Sequence, residues 1–417
     1  MSSYKELRSA IDEIPIFDTH EEIYYLKTKR FEEWLARGVD LLDVLKGVWL
    51  FTAFDFPERK SDFSTLSKCL KRIQGQGHLR AAVRGIYSTY GIDISSFDEK
   101  VLSEASNMIS RSYKNKDWIK KVLTGSGIKF VILDVTPTYD LFEGFLDKEH
   151  FAGALKIDMF LRGYNRTNCT KTGESVYTFA DILGVKIESF DDYLSFIDLV
   201  FSKARERGII AVKCKIAYER ELRFEEVKEQ EARAVFNRPA IELSQGEIKK
   251  FSDFMMHYII QKATEVGFPI QIHTGMSYQT NYEGSNPLKL TNLFIKYPDT
   301  KFILFHGGYP WTSEAASLAF SHRNVYVDIC WLPMVSTTAS ERLISELIDT
   351  TGASKITWGG DTGIAEGACG ALAITRDIVA KVLTKYIEDG YLNYSNAITV
   401  AKKIFFENAQ EIYQLTF

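Results

Sequence analysis

At 417 residues, with 45% hydrophobic and 25% charged positions, the chain has the composition of a folded protein, long enough for two or three average domains or for one α/β barrel with insertions. Fifty-one basic against 55 acidic residues give a formal charge of −4, which leaves no basic excess to meet a row of phosphates and excludes nucleic acid as an expected partner. The five scattered cysteines form no C-x-x-C pair, no apolar run reaches the roughly 18 residues of a membrane span, and Met1 to Ile11 lacks a signal-peptide pattern, so the expectation is a reducing cytoplasm without membrane attachment.

In chain order, the first expected strand is Pro15–Asp18. Residues 27–122 follow, aromatic-rich and helical in pattern; the gap to the next strand is roughly 110 residues, against roughly 30 for one βα unit, so this stretch reads as an inserted lid or cap. From there apolar, β-branched runs alternate with helical patterns such as Gly246 to Val266 and Leu288 to Ile295. The runs are Phe130–Asp134, Ala154–Ile157, Ile209–Ile216, Pro269–His273, Phe302–His306, Val325–Asp328 and Ile356–Gly360. Eight strands alternating with helices predict an α/β fold, a (β/α)8 TIM barrel spanning residues 1–417 as one domain, with 27–122 inserted in it. Strand-end residues of such a barrel share the rim on which active sites are built, and Asp18, Asp134, His273, His306, Asp328 and Asp361 stand at those ends.

Several of these ends carry chemistry. In Asp18-Thr-His20-Glu-Glu22, residues two apart on extended backbone point the same way, so His20 and Glu22 can grip one divalent ion. His273-Thr-Gly275 and His306-Gly-Gly308 repeat one grammar 33 residues apart; either histidine alone reads equally well as a core side chain. Asp361, in Gly359-Gly-Asp361-Thr-Gly363, suits a metal carboxylate or a general base acting on water, with a helix cap as the plain alternative. Lys213 and Lys215 lie on one face of the fourth strand, where a buried ammonium must be paired or lose its charge; the plain alternative is a structural pair reaching the solvated rim. A phosphate-binding loop and a serine-hydrolase elbow are absent, and Gly75-Gln-Gly77 is followed by Arg80 where a dinucleotide fingerprint needs glycine.

With these residues in place, the sequence resembles the metal-dependent amidohydrolase superfamily, its amidohydrolase-2 branch, and more closely the nodulin-like amidohydrolase domains fused to glutamine synthetase. The resemblance rests on Asp18-Thr-His20, Val212-Lys213 with Ala217-Tyr218, Phe268 to Gly275, Phe305 to Pro310, Asn324 to Asp328 and Gly359-Gly-Asp361. It implies a distorted barrel with divalent metal at the strand C-termini, zinc in the first place and manganese in the second. His20, Glu22, His273 and Asp361 would be metal ligands; Asp361, His306 and Lys213 would be catalytic; Lys215, Tyr218, Tyr309 and Trp311 would meet a small-molecule substrate. Where the family has His-x-His, this chain has Glu22 in place of the second histidine, a harder, anionic donor. Aromatic residues Phe31, Trp34, Trp49, Phe51 and Trp331 are further pocket candidates, though most aromatics at such spacing belong to cores. The resemblance also implies a homo-oligomer. The expected function is a metal-dependent hydrolase cleaving a C–N or C–O bond; the alternatives are a decarboxylase or uronate-isomerase-like enzyme, or a metal-free barrel serving as a binding or assembly module.

Overall fold

The computed structural model describes residues 2–23, 29–50, 62–135, 147–276 and 282–415. All eight expected strands form: β1 Ile16–Glu21, β2 Ile128–Val135, β3 Phe151–Lys156, β4 Ile209–Cys214, β5 Ile270–His273, β6 Phe302–Phe305, β7 Val325–Asp328 and β8 Ile356–Thr357. They are parallel and ordered as in sequence. The ladder ends at β8, and the cylinder is closed by backbone bonds from β1 to the segment after it: Thr19 N to Trp358 O at 3.1 Å, Asp361 N to His20 O at 2.8 Å, and Glu22 N to Thr362 O at 2.9 Å.

That closure moves two expected boundaries. β1 runs three residues past Asp18 because its backbone has partners there, while β8 stops at Thr357 and continues as an irregular chain pairing with β1. Gly360 is required at this seam, since a Cβ there would lie 1.9 Å from Glu21 Oε1.

The pleat sorts side chains by parity. Phe17, Phe130, Ile132, Ala152, Ala154, Ala211, Ile303 and Phe305 form an inner cluster, closed at one end by Ala409, Ile412 and Tyr413 of the helix Asn408–Tyr413. The same parity carries Asp134, Lys156, Lys213 and His273 toward the other, C-terminal, end. A second and larger apolar cluster lies between the strands and the surrounding helices.

Between β1 and β2 the described residues form six helices: Lys29–Ala36, Leu41–Gly47, Phe63–Arg72, Gly77–Tyr90, Glu99–Ser112 and Trp118–Gly125. Capping explains several starts: Asp40 accepts from Leu42 N and Asp43 N, and Asp98 from Lys100 N and Val101 N. Helix Gly77–Tyr90 lies closely against the barrel's helix Ala365–Glu388. No helix among the described residues is long and apolar enough to cross a membrane.

Candidate metal centre

His20, on β1, is fully buried, and its Nε2 stands 3.2 Å from Asp361 Oδ1. His306, directly after β6, presents Nδ1 at 3.5 Å from Asp361 Oδ2 and 3.3 Å from the carbonyl oxygen of Cys330. Its Nε2 lies 2.8 Å from His273 Nδ1, at the end of β5. The rim thus brings His20, His273, His306 and Asp361 together across residues as far apart as 20 and 361.

The hydrogen-bond pattern orders the two rings. If His306 donated through Nε2, its bare Nδ1 would face a carbonyl and a carboxylate, acceptor against acceptors. The arrangement that satisfies every atom has His306 Nδ1–H donating to Cys330 O and His273 Nδ1–H donating to His306 Nε2. This leaves the lone pair of His273 Nε2 buried and without a partner, as are both ring nitrogens of His20. Unpaired buried polar atoms cost on the order of 1–3 kcal/mol each. A divalent cation takes up such lone pairs, so the residues present fit a metal. Burial pushes His273 well below the usual histidine range and His306 down to about 3, Asp361 opposing, so both rings are neutral near pH 7, as a metal ligand must be. Asp361 is held below the usual carboxylate range: burial would raise it, but His20, His306 and Lys213 outweigh that.

Cys330 adds a soft atom to this group. His306, Cys330 and Asp361 each offer a donor within 4.8 Å of the others, all buried, and the thiol lies 3.4 Å from His306 Nδ1.

The lysines separate. Lys213, inside β4, places Nζ 3.4 Å from the centroid of Phe305, and burial lowers its pKa. β4 ends at Cys214, before the expected Ile216, because the chain turns through a 3-10 segment at Ile216–Tyr218. Lys215 therefore leaves the shared face. Its ammonium joins Glu22 Oε1 and Asp134 Oδ2, the latter at 2.7 Å. Burial would lower Lys215, but Asp134 and Glu22 outweigh it and hold it well above the usual lysine range.

The Tyr218 ring lies 4.6 Å from that of His273, tilted by 47°. Tyr309 and Trp311 follow His306 in one turn, both half-buried, while Trp331 is the ring that lies against His306, at 5.4 Å. Phe31 and Trp34 stack on each other at 6.1 Å within the inserted helices; Phe51 lies outside the described residues.

Of the residues at the mouth, Trp49 was among the aromatic pocket candidates, while Cys330 and His78 were not foreseen. Trp49 donates its indole N–H to Asp361 O at 2.6 Å. His78, at the head of helix Gly77–Tyr90, is buried, bonds through Nδ1 to Val48 O at 2.7 Å, and places its ring 5.6 Å from Trp331. Burial lowers its pKa, against an opposing pull from the Asp361 charge. The stretch between β1 and β2 thus reaches Asp361 through Trp49 and Trp331 through His78. Asp134 had a signal, its place at a strand end, and Trp49 had one as an aromatic of the inserted stretch; Cys330 and His78 had none in local sequence. The mouth also concentrates unusual backbone: Trp49, His306, Trp331 and Asp361 all have positive φ, four of the eight described non-glycine residues that do.

Residues 221–415, which include His273, His306 and Asp361, match the amidohydrolase family model. This part of the chain, a little under half of it, is thus similar to the amidohydrolases. Protein fluG of Emericella nidulans is 28% identical over 236 residues, 53% of this chain and 27% of that protein, so the chain spans about a quarter of the curated relative's length. Among solved structures, uronate isomerase from Thermotoga maritima matches with a TM-score of 0.78 at 15% identity, over 99% of this chain and 97% of the other. Glucuronate isomerase from Caulobacter crescentus gives 0.78 at 14%, over 100% and 94%. A protein from Lactobacillus casei assigned as a metal-dependent hydrolase gives 0.68 at 16%, over 98% and 97%. At such identities the likeness is one of fold, and it runs over nearly the whole chain.

Proposed function

We propose that this protein is a metal-dependent hydrolase of the amidohydrolase type, acting on a small, polar substrate that carries a carboxylate or similar anionic group. The observation behind this reading is the buried Nε2 of His273, which has no hydrogen-bond partner, together with the buried ring of His20, whose Nε2 faces an ionised Asp361 at 3.2 Å without hydrogen-bond geometry. His20, His273 and Asp361 would hold the ion. The sequence-based ligand set also included Glu22, whose carboxylate here contacts Lys215. Zinc suits the imidazoles and the neighbouring Cys330, and manganese is the alternative. An ion held by these residues would supply Lewis-acid polarisation of the scissile carbonyl and a lowered pKa for water at neutral pH.

The protein's own groups do the rest. Asp361 accepts a proton from the attacking water and returns it to the leaving amine or alkoxide. His306, its Nδ1–H fixed on Cys330 O, keeps Asp361 and His273 oriented. Lys213, desolvated beside Phe305, balances negative charge developing on substrate oxygen. Tyr218 and the Lys215 ammonium meet the substrate's polar end, while Trp49, His78 and Trp331 exclude bulk water from the mouth.

The second reading, isomerisation of a uronate, keeps the same groups but has Asp361 take its proton from the carbon beside the carbonyl. It is motivated by the near full-length likeness to two uronate isomerases. Fold alone serves both chemistries. Metal analysis of protein prepared without chelators, followed by assays on N-acyl amino acids, lactones and uronates in 18O-water, separates them: hydrolysis puts the label in product carboxylate, isomerisation leaves mass unchanged. Asp361→Asn should cost roughly 10²–10⁴-fold in kcat with the fold retained. Less than about 0.2 equivalents of metal, unaltered by adding zinc or manganese, sinks both readings.

A further inference from the structure

The helix Leu41–Gly47 ends on Val48, and the residue after it, Trp49, has a φ of 60°. Glycine is the usual residue at such a place, because a Cβ disfavours left-handed backbone. Here a tryptophan takes it, and its indole N–H donates to Asp361 O at 2.6 Å. Asp361 has a φ of 55°, so both ends of this bond are non-glycine residues in the left-handed region. The Asp361 N–H donates to His20 O at 2.8 Å. One backbone group of Asp361 is thus held by β1, and the other by the inserted stretch.

The turn that carries Trp49 is itself fixed from two directions. Gly47 O accepts from Gly363 N at 2.8 Å, an approach that needs glycine, since a Cβ on Gly47 would lie 2.5 Å from Ile364 Cγ2. Val48 O lies 2.7 Å from His78 Nδ1. A carbonyl oxygen can only accept, so the ring carries its proton on Nδ1. His78 is buried, and Gly77 before it brings the helix head so near Met334 that a Cβ there would lie 2.0 Å from Met334 O. We propose that His78 and Trp49 are positioning residues for Asp361: His78 locks the turn at Val48, and Trp49 holds the Asp361 carbonyl so that the carboxylate stays between His20 and His306. This rests on the reading of Asp361 as the group that takes the proton, and it gives the two rings a task beyond excluding water. The direction of a side chain follows its backbone dihedrals, and the Asp361 carboxylate stands 3.2 Å from His20 Nε2 and 3.5 Å from His306 Nδ1 only while φ stays positive. A misplacement of about 1 Å at a reacting group costs on the order of 100-fold in rate.

The test removes each N–H and keeps a ring. Trp49→Phe loses the bond to Asp361 O, His78→Phe loses the bond to Val48 O, and His78→Asn restores the latter with an amide N–H in place of Nδ1–H. Crystal structures of wild type and variants, prepared alike, read the position of Asp361; kinetics on a substrate that wild type turns over read its use. In both phenylalanine variants the Asp361 carboxylate should leave His20, and kcat should fall roughly 10–100-fold while KM changes less than about threefold. His78→Asn should stay close to wild type in both measurements. Trp49→Phe, at a half-buried position, carries the comparison if His78→Phe does not fold, folding being judged by circular dichroism. A carboxylate that stays beside His20 in either folded phenylalanine variant overturns the inference. So does an unchanged kcat, a loss confined to KM, as expected of a cover that only shields substrate, or a His78→Asn protein that behaves as His78→Phe does. A wild type that turns over no amide, lactone or uronate sinks the proposed function alone, and the position of Asp361 in the variants then decides the inference.

Discussion

At the scale of single residues, the site depends on carboxyl groups whose charge is set by burial. Asp158 is buried beneath the mouth, accepts the Lys215 backbone N–H at 2.8 Å, and is pushed up to about 7 by burial, against the pull of that hydrogen bond and of the Lys215 charge. Its folded pKa thus exceeds its unfolded value of about 3.9, so between the two the folded protein binds more protons than the unfolded chain. The stabilisation is complete below the unfolded pKa and is lost as pH rises through about 7. Asp158→Asn keeps the acceptor without the titration. Relative to wild type, the variant should gain on the order of a few kcal/mol between about pH 4 and pH 8, read by urea denaturation across that range. Parallel curves would mean that Asp158 stays ionised in the folded state.

Among elements, the inserted helices reach the site because glycines let two backbones meet. A Cβ on Gly85 would lie 1.8 Å from Glu366 O, and one on Gly370 would lie 1.9 Å from Ala81 O. The Gly77–Tyr90 helix, with His78 at its head, is thereby held against Ala365–Glu388. In an unhindered helix, Gly→Ala gains up to about 1 kcal/mol. Gly85→Ala should instead destabilise by roughly 1–3 kcal/mol, through overpacking against backbone that cannot rotate away. Gly125→Ala, with open space around it, is the control and should be neutral or stabilising. Equal effects at the two sites would refute the close-contact account. The elements themselves were legible: each strand is a short apolar run, and parity along it separates core from rim. The Gly85 contact was not, because its meaning lies in Glu366, 281 positions away, and neither were the ends of β1 and β8, which are set by pairing between the two termini of the sheet.

For the whole molecule, the barrel seam and the candidate metal centre are the same place. The strand-end rule found His20, His273, His306 and Asp361 because a closed parallel cylinder brings every such end to one rim. It had no means of finding Trp49 on Asp361, a bond spanning 312 positions, or the preference of Lys215 for Glu22 and Asp134 over the face of Lys213. Those depend on how an insertion folds back and where a ladder ends. Since His20 and Asp361 stand on opposite sides of the seam and are joined by the backbone bond Asp361 N to His20 O, an ion bound by both side chains ties the first strand to the last. Such an ion has no equivalent site in the unfolded chain, so it stabilises by mass action, about 2.7 kcal/mol when free metal is a hundredfold above Kd. For an unfolding entropy scaled to this length that corresponds to a rise in Tm of roughly 3 °C. Calorimetry of metal-loaded protein should show this rise, a chelator should reverse it, and Asp361→Asn should lose most of it. A Tm indifferent to metal in wild type, or a rise undiminished in Asp361→Asn, would separate the seam from the metal and place the ion elsewhere.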